Sequence, residues 1–433
     1  MRQISDRVYY IGVNDDTKTL FEGLWPLPFG VSYNSYIVAD AKVALVDTVE
    51  HDFEGEFLGN IYEAIGERPI DYLVVNHMEP DHSSLTAYIL DKYPQLQIVA
   101  NAKTVPMLKG YYGISEDRIL VMKEGDTLSL GSCTLSFHMI PMVHWPETMV
   151  TWLAEENTVF SGDAFGTFGM VSADVVDTDG TFESFRDEMI RYYSNIVGKY
   201  GTPVQTALKK LASFDVKRIC STHGPVWERS VADVVALYDK MSRYEVERGV
   251  CIAYGSMYGN TAAAAEALAD ELRKLGVPVA VHDLAGNVRP GLAGNVGSCF
   301  EENSGLGLAG NFGPCFEENS GLGLAGNFGL DLGLSGALRD VFKYDTIVAA
   351  SPTYNNGIFP PVETFMKALQ SRLIKGRRFY ALGSYTWAGS SVSLLNAMAQ
   401  TMDFEILGPG LSFAQAYSPE KCNIPEIAAI LKG

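Results

Sequence analysis

Short apolar runs alternate with helical stretches along most of this chain, the pattern of an α/β protein. In the N-terminal half, strand-like runs occur at 36–38, 43–46, 73–75, 97–99 and 134–139. A last helix is predicted over 231–247, and the chain then turns at Arg248 and Gly249. We therefore predict one domain at 1–248 and a second at 249–433, a division that 433 residues can support.

The C-terminal half repeats an order of strand and helix that predicts a parallel, doubly wound sheet. Its predicted strands are 250–254, 277–282, 346–350 and 378–382. Its predicted helices are 262–275, 336–342, 361–370 and 391–402. Three loops follow these strands, and open sheets of this kind bind ligands at the carboxyl ends of their strands.

An internal repeat interrupts this second alternation between 291 and 334. The sequence G-L-A-G-N-V-G-S-C-F-E-E-N-S-G-L recurs as G-L-A-G-N-F-G-P-C-F-E-E-N-S-G-L and then begins a third time. Each junction contains G-x-G-x-x-G, but no strand precedes it and no helix follows, which excludes a dinucleotide fingerprint. We interpret the repeat as a duplication in a surface connection, because the cost of loop closure grows slowly with length. We assign it no chemistry.

The densest chemical signal is the heptapeptide N-H-M-E-P-D-H, which follows the apolar run 71–75 directly. It places His77, Glu79, Asp81 and His82 on a loop between a strand and a helical stretch at 83–93. Unpaired carboxylates and imidazoles are costly to bury. We therefore predict that these four side chains belong to a metal site.

The remaining ligands of such a site must come from distant parts of the chain. His144, Asp163 and His223 each stand just beyond another strand-like run. The other histidines, at 51, 138 and 282, lack this setting, and we interpret them as surface or strand residues. We expect Glu147, in H-W-P-E, to be a solvent-exposed loop acid and not a ligand.

The three loops of the second domain carry groups that can bind a phosphorylated ligand with a flat ring system. The first opens a helix, where hydroxyls and backbone N–H groups form a phosphate site, and it lacks the G-K-[ST] of a Walker motif. The predicted cofactor-binding residues are Ser256, Met257, Tyr258, Gly259, Asn260, Thr261, Ser351, Pro352, Thr353, Tyr354, Asn355, Gly357, Ser384, Tyr385, Thr386, Trp387 and Gly389. Among them, Tyr354, Tyr385 and Trp387 can enclose a flat ring system.

The order H-x-E-x-D-H, His, Asp, His resembles the metallo-β-lactamase superfamily, whose hydrolytic members use H-x-H-x-D-H. Glu79 stands in place of the second histidine, and a carboxylate there suits two irons better than two zincs. This variant resembles the flavodiiron proteins (A-type flavoproteins). The three loops, in order and composition, resemble those of flavodoxin, and the segment 21–36 also resembles the flavodiiron family. The likeness covers the chain except for the repeat.

This resemblance implies a metallo-β-lactamase-like αββα domain with a non-haem diiron centre, followed by a flavodoxin-like domain with FMN. His77, Glu79 and His144 would then hold one iron, Asp81 and His223 the other, and Asp163 would bridge them. His82 is a further candidate ligand, because relatives differ at this position. Asp163 and His82 are the expected catalytic residues. The implied reaction is reduction of O2 to water, of NO to N2O, or of both.

Composition limits the partners of such an enzyme. The formal net charge of −19 disfavours binding to nucleic acid or an anionic membrane, since both need a basic face. No run approaches the length of a membrane span, the N-terminus has no apolar leader, and no C-x-x-C pair occurs among the six cysteines. We therefore expect a cytoplasmic protein without a rubredoxin domain, reduced by an external donor. Rubredoxin is the usual donor in the family.

The likeness also implies a homodimer or a dimer of dimers, in which the FMN of one chain serves the irons of the other. Two alternatives remain open from the sequence. One is a hydrolase of the metallo-β-lactamase type with an appended flavodoxin-like domain, which two bound zincs would support. The other is an electron carrier whose metal domain is structural, which absence of O2 and NO turnover would favour.

Overall fold

The computed structural model describes residues 1–286 and 332–433, and the chain divides into two compact units, Met1–Arg243 and Tyr244–Gly433. The repeat predicted at 291–334 lies outside the described residues, apart from its last three positions. No helix within the described ranges is long and apolar enough to cross a membrane.

The first unit contains two main β-sheets. Its strands are β1 (Arg2–Gln3), β2 (Val8–Tyr10), β3 (Val13–Asp15), β4 (Leu20–Phe21), β5 (Trp25–Pro26), β6 (Val31–Tyr33), β7 (Tyr36–Ala39), β8 (Val43–Val46), β9 (Tyr72–Val74), β10 (Gln97–Asn101), β11 (Ile119–Met122), β12 (Thr127–Ser129), β13 (Thr134–Met139), β14 (Met149–Leu153), β15 (Thr158–Gly162) and β16 (Arg218–Ser221). One sheet has the order β1-β2-β7-β8-β9-β10-β11 and the other β12-β13-β14-β15-β16. Two short hairpin-like sheets, β3-β6 and β4-β5, accompany them.

The helices of this unit come between and after the strands. They are α1 (Glu54–Ile65), α2 (Pro80–Ser83), α3 (Thr86–Lys92), α4 (Thr104–Tyr112), α5 (Thr181–Tyr192), α6 (Gly201–Leu211) and α7 (Val231–Ser242). Helix α5 continues into a π-helical turn at Tyr193–Val197, a conformation often found near functional sites. The helix predicted over 231–247 is shorter than expected. Tyr244 adopts a φ of 58°, and Glu247 already begins the next strand.

The core of the first unit lies between its two sheets. Val38 and Val46 from the larger sheet join Phe137, Phe160 and Cys220 from the smaller one in a single buried cluster. Each large apolar side chain that is fully buried contributes roughly 1.5–3 kcal/mol relative to exposure. This packing brings the ends of β9, β15 and β16 to the same side of the sandwich.

Buried hydrogen bonds lock the N-terminal strands to the segment after β16. The Nδ2 of Asn34 donates to the carbonyls of Ser221 (2.9 Å) and Gly224 (2.8 Å). The hydroxyl of Tyr36 also donates to Ser221 O, at 2.7 Å. Because these carbonyls are buried, each bond avoids a desolvation cost of about 1–3 kcal/mol. The backbone around His223 is therefore held in one position.

The second unit is a doubly wound sheet. Its strands are β17 (Glu247–Tyr254), β18 (Val279–Asp283), β19 (Tyr344–Tyr354), β20 (Gly357–Ile358), β21 (Arg378–Tyr385), β22 (Glu405–Ile406) and β23 (Leu411–Ala414). Its helices are α8 (Asn260–Lys274), α9 (Gly333–Lys343), α10 (Pro360–Ser371), α11 (Ser391–Thr401), α12 (Pro419–Cys422) and α13 (Ile424–Lys432). The parallel order is β18-β17-β19-β21-β22, with β23 also beside β21. The strand order reverses between β17 and β19, where sheets of this type bind ligands.

Candidate metal centre and cofactor pocket

The heptapeptide loop leaves β9 and enters helix α2, with Pro80 at the start of the helix. Proline is favoured there because its fixed φ suits the first helical turn. The hydroxyl of Ser83 donates to the carbonyls of Met78 and Glu79, both at 2.9 Å. Thr48 donates through its backbone N–H (2.7 Å) and its hydroxyl (2.8 Å) to His82 O. These bonds fix the loop that carries four of the predicted ligands.

The seven predicted metal-site residues converge in one buried place. One group contains His77, Glu79, His144 and Asp163, and a second contains Asp81, His82 and His223. Within each group, one nitrogen or oxygen atom per residue lies within 4.8 Å of all the others. All seven side chains are buried.

Asp163 belongs to the first group but contacts histidines of both groups, one group through each carboxylate oxygen. Its Oδ2 is 3.2 Å from His77 Nε2 and 3.0 Å from His144 Nε2. Its Oδ1 is 2.9 Å from His82 Nε2 and 3.7 Å from His223 Nε2. A carboxylate with this orientation can bind one cation through each oxygen.

The carboxylates of Glu79 and Asp81 each face histidines of one group only. Glu79 Oε2 lies 3.0 Å from His144 Nε2 and 3.4 Å from His77 Nε2. Asp81 Oδ1 lies 3.2 Å from His82 Nε2, and its Oδ2 lies 3.4 Å from His223 Nε2. In each group, the carboxylate oxygens and imidazole nitrogens therefore face each other at close range.

Several of these atoms have no hydrogen-bond partner among the described residues. They are His77 Nε2, both carboxylate oxygens of Asp81, His82 Nε2 and His223 Nε2. Buried polar atoms are normally hydrogen-bonded, so converging orphan lone pairs need another explanation. Bound metal ions would supply it, because neutral imidazole and ionised carboxylate are metal ligands. The residues present thus fit a two-metal site.

The carboxylates of the pocket favour positive charge on His82 and His144, whereas burial lowers the pKa of His223 to about 4. Burial opposes the charged form of His82, but the carboxylates of Asp81 and Asp163 outweigh it and raise the pKa of His82 to about 9. Burial likewise opposes charge on His144, and Asp163 and Glu79 raise its pKa to about 9. Burial disfavours the charged form of Asp163, but His82 and His77 hold its pKa well below the usual range.

The histidine tautomers are set by neighbours that the sequence analysis missed or misjudged. His223 Nδ1 lies 2.7 Å from the carbonyl of Ser32, so it donates there and leaves Nε2 as the acceptor. Thr222 donates its hydroxyl to Asp163 Oδ1 at 2.6 Å. Such outer partners orient metal ligands and raise their basicity. No motif identifies Ser32 or Thr222, because their roles depend on contacts distant in sequence.

The expectation for Glu147 was wrong. Glu147 is 1% exposed, and its Oε1 accepts from His77 Nδ1 at 2.8 Å and from the N–H of Met78 at 3.0 Å. The turn after His144 folds back onto the heptapeptide loop, and the backbone N–H of Met149 donates to Asn76 O at 3.0 Å. Glu147 therefore supports a predicted ligand and is not a surface acid.

Only glycine fits at position 224, directly after His223. Its φ is 79°, and a Cβ there would lie 2.3 Å from Thr167 Oγ1. The left-handed backbone lets the chain turn immediately behind His223. This close approach helps to place the imidazole at the edge of the sandwich.

The second unit contains a pocket at the carboxyl ends of β17, β19 and β21. Ten of the predicted cofactor residues line it, together with Gln415, which the sequence analysis missed. The ten are Ser256, Met257, Tyr258, Asn260, Thr261, Pro352, Thr353, Ser384, Tyr385 and Thr386. Gln415 follows β23, and its N–H donates to Tyr385 O at 2.6 Å. It escaped prediction because it lies outside the three loops.

The floor of this pocket is built from hydroxyls and the start of helix α8. Thr261 Oγ1 and Ser384 Oγ are 2.8 Å apart, and Gly259 N–H donates to Ser256 Oγ at 3.1 Å. Gly259 precedes the helix with a φ of 87°. Backbone N–H groups at a helix start attract phosphate. The residues present therefore fit a phosphorylated cofactor.

The remaining predicted cofactor residues do not line the pocket. Gly259, Asn355, Gly357 and Gly389 belong to its loops, and Ser351 is buried beneath, where its hydroxyl accepts from Phe359 N–H at 2.9 Å. Tyr354 is 42% exposed and Trp387 86% exposed. The rings of Tyr354 and Trp387 therefore lie at the surface of the second unit, where they can contact a ligand.

The comparisons agree with this architecture. The family described as ODP family beta lactamase matches residues 31–224. An anaerobic nitric oxide reductase flavorubredoxin of Escherichia coli O1:K1 / APEC is 27% identical over 96% of this chain and 78% of that protein. The flavodiiron protein from Giardia intestinalis is 25% identical, with a TM-score of 0.81 over 100% of this chain and 94% of that chain.

A solved structure with a similar fold is the rubredoxin oxygen:oxidoreductase from Desulfovibrio gigas. Its TM-score is 0.81 at 24% identity, and the match covers 100% of this chain and 96% of that chain. The similarity in fold therefore extends across both units. The chain is similar in sequence and fold to the flavodiiron proteins. The predicted fold class, a metallo-β-lactamase-like αββα unit followed by a flavodoxin-like unit, is confirmed for this chain.

Glu147→Gln should weaken metal binding by about 10- to 100-fold, the usual effect of changing an outer partner of a metal-bound histidine. The amide keeps the size of the side chain but removes the charge that makes His77 a strong ligand. Titration of the full chain with Fe²⁺ against a competing chelator, without oxygen, measures the change.

Glu124→Gln is a matched control, because Glu124 also contacts a histidine Nδ1 (His138, 3.1 Å) and accepts a backbone N–H (Met139, 2.9 Å). That pair lies outside both ligand groups. Equal affinities for the two variants would contradict a role of Glu147 in metal binding.

Proposed function

We propose that this chain is a flavodiiron protein that reduces O2 to water, NO to N2O, or both, at a non-haem diiron centre, with electrons delivered through FMN. The observation that carries the proposal is Asp163, whose two oxygens face two separate groups of ligands. The relatives named as nitric oxide reductase and as oxygen oxidoreductase support both substrates. We propose residues 1–248 as the diiron domain and 249–433 as the FMN domain.

The proposed ligand assignment follows the two groups. His77, Glu79 and His144 would hold one iron, and Asp81 and His223 the other, with Asp163 between them. His82 belongs with the second iron, because its Nε2 lies 2.9 Å from Asp163 Oδ1 and 3.2 Å from Asp81 Oδ1. Three carboxylates among seven ligands favour iron over zinc, which prefers sites rich in histidine and cysteine. Ferrous iron with open coordination positions supplies the binding and reduction of O2 or NO.

Aromatic side chains close the second group against water. The ring of Phe21 packs 5.3 Å from that of His223, and the ring of Tyr192 packs 5.5 Å from it. The hydroxyl of Tyr192 is buried and has no hydrogen-bond partner among the described residues. Burial, with Asp163 and Glu79 nearby, raises its pKa well above the usual value, so the phenol stays protonated. It is available to donate a hydrogen bond to a small ligand in the pocket.

The pocket of the second unit would hold FMN through neutral donors. Ser256, Thr261 and the start of helix α8 would bind the phosphate, and Thr353, Ser384 and Tyr385 would lie nearer the ring. Gln415 adds an amide at the rim. Flavin would accept electrons from the donor and pass them on singly, which protein side chains alone do not do.

We propose that an external donor, rubredoxin or a similar protein, reduces the FMN. The chain is proposed to work in the cytoplasm, which the buried free cysteines of the described residues, at 133, 220, 251 and 422, support. We also propose a homodimer or a dimer of dimers, in which the FMN of one chain serves the irons of the other. Closed two-fold assemblies are the commonest oligomers.

Purified protein expressed with ample iron and flavin should carry about two irons and one FMN per chain. The reduced protein should consume O2 or NO when a reduced donor is supplied without other oxidants. Metal analysis, flavin release and gas electrodes measure these properties. Tight binding of two zincs with hydrolytic activity would instead support the hydrolase alternative, and iron with no turnover of either gas would support the electron carrier.

Asp163→Asn should abolish reduction of O2 and NO while leaving FMN bound, because a neutral amide lacks the charge that two cations share. Reduction of FMN by the donor should survive, and stopped-flow absorbance can follow it separately from gas consumption. Asp177→Asn is the control, since Asp177 is also buried in the first unit but accepts from backbone N–H groups at 228, 229 and 230. Full turnover in Asp163→Asn would show that Asp163 does not bridge.

Mixed dimers of two inactive variants should recover turnover. One variant lacks the metals through His77→Ala with Asp81→Ala, and the other lacks FMN through Thr261→Glu, which places a negative charge in the phosphate site. A mixed dimer then contains one intact FMN and one intact diiron site on different chains. Isolated mixed dimers with no turnover would refute transfer between chains, and each variant alone provides the baseline.

A further inference from the structure

Trp145 contacts ligands of the first metal group from outside the ligand set. Its ring lies 5.2 Å from that of His77, at an interplanar angle of 86°. It lies 6.2 Å from the ring of His144, at 77°. One indole therefore contacts two ligands of the same group.

The position of Trp145 is fixed by the turn that carries it. Its carbonyl accepts from Met142 N–H at 2.7 Å and from the Thr148 hydroxyl at 2.9 Å. The backbone N–H of Trp145 donates to Thr148 Oγ1 at 3.3 Å. Glu147, two residues later, is tied to His77 Nδ1. The backbone of the turn thus holds the indole against the ligands.

Trp145 also differs in exposure from the other aromatic side chains around the site. Within the described ranges, the phenylalanine and tyrosine rings that contact His223 are those of Phe21, Tyr33 and Tyr192, and all three are buried. Trp145 is partly exposed. It is therefore the aromatic side chain that joins predicted ligands to the surface of the first unit.

We propose that Trp145 is the electron inlet of the metal centre. The inference rests on the proposed function. Each transfer moves one electron from a reduced flavin to one ferric ion, which becomes ferrous, and no bond forms or breaks. The indole couples donor and acceptor through its π system and is not itself left oxidised. Its two ring contacts lead directly to predicted ligands of the first group.

The test measures the transfer of electrons with O2 and NO absent. Oxidised holoprotein variants are mixed with a reduced donor, and the rate of ferric reduction is followed by stopped-flow absorbance and by freeze-quenched electron paramagnetic resonance. Trp145→Leu should slow this step by roughly tenfold, which corresponds to a barrier about 1.4 kcal/mol higher. Trp145→Phe, which keeps an aromatic ring, should retain more of the rate.

Trp152→Leu is the matched control, because Trp152 packs on Phe214 at 5.0 Å and not on a ligand. Iron content and the reduction potential of the irons are measured for every variant, since a merely structural role would change them. A slower Trp145→Leu with unchanged iron and potential supports the proposal. A rate equal to that of Trp152→Leu, or a slower rate with altered iron or potential, would overturn it. Failure to bind iron in the unsubstituted protein would instead refute the proposed function.

Discussion

The placement of the Asp163 carboxylate between two groups of buried ligands is the constraint on which the first unit depends. Each oxygen faces a different group, so a shift of this side chain would disrupt both. Buried carboxylates are costly unless opposite charge and hydrogen bonds compensate them. The surrounding structure provides part of that compensation through the Thr222 hydroxyl on Asp163 Oδ1. The seven predicted ligands form a buried pocket that can hold cations.

The sandwich brings these ligands together because its strands end at one edge. His77 follows β9 of the larger sheet, whereas Asp163 and His223 follow β15 and β16 of the smaller one. The apolar core between the sheets fixes the distance between these strand ends. Asn34 then bonds the turn behind His223 to the larger sheet, and Gly224 allows that turn. Ordinary core packing therefore determines the geometry of the polar site.

The flavodoxin-like unit uses the same principle with different chemistry. Its pocket also lies at the carboxyl ends of strands, but hydroxyls, an amide and a helix start replace charged ligands. Neutral donors can hold a phosphate there, because the helix N-terminus already carries partial positive charge. The acidic chain thus contains one pocket suited to cations and one suited to an anion. Trp145, on the first unit, extends the metal site towards the surface.

Local sequence determined the class of each unit and most of the site. Periodicity indicated the strands and helices, and ligand types after strand ends identified all seven residues that the structure brings together. The tertiary structure decided the roles of the residues that no local sequence pattern identifies. Glu147 follows an exposed proline, yet folding buries it against His77. Ser32, Thr222, Gln415 and Trp145 likewise acquire their roles through contacts far along the chain. A hydrogen bond or ring contact depends on which two segments the fold brings together, and the sequence of either segment alone does not determine this.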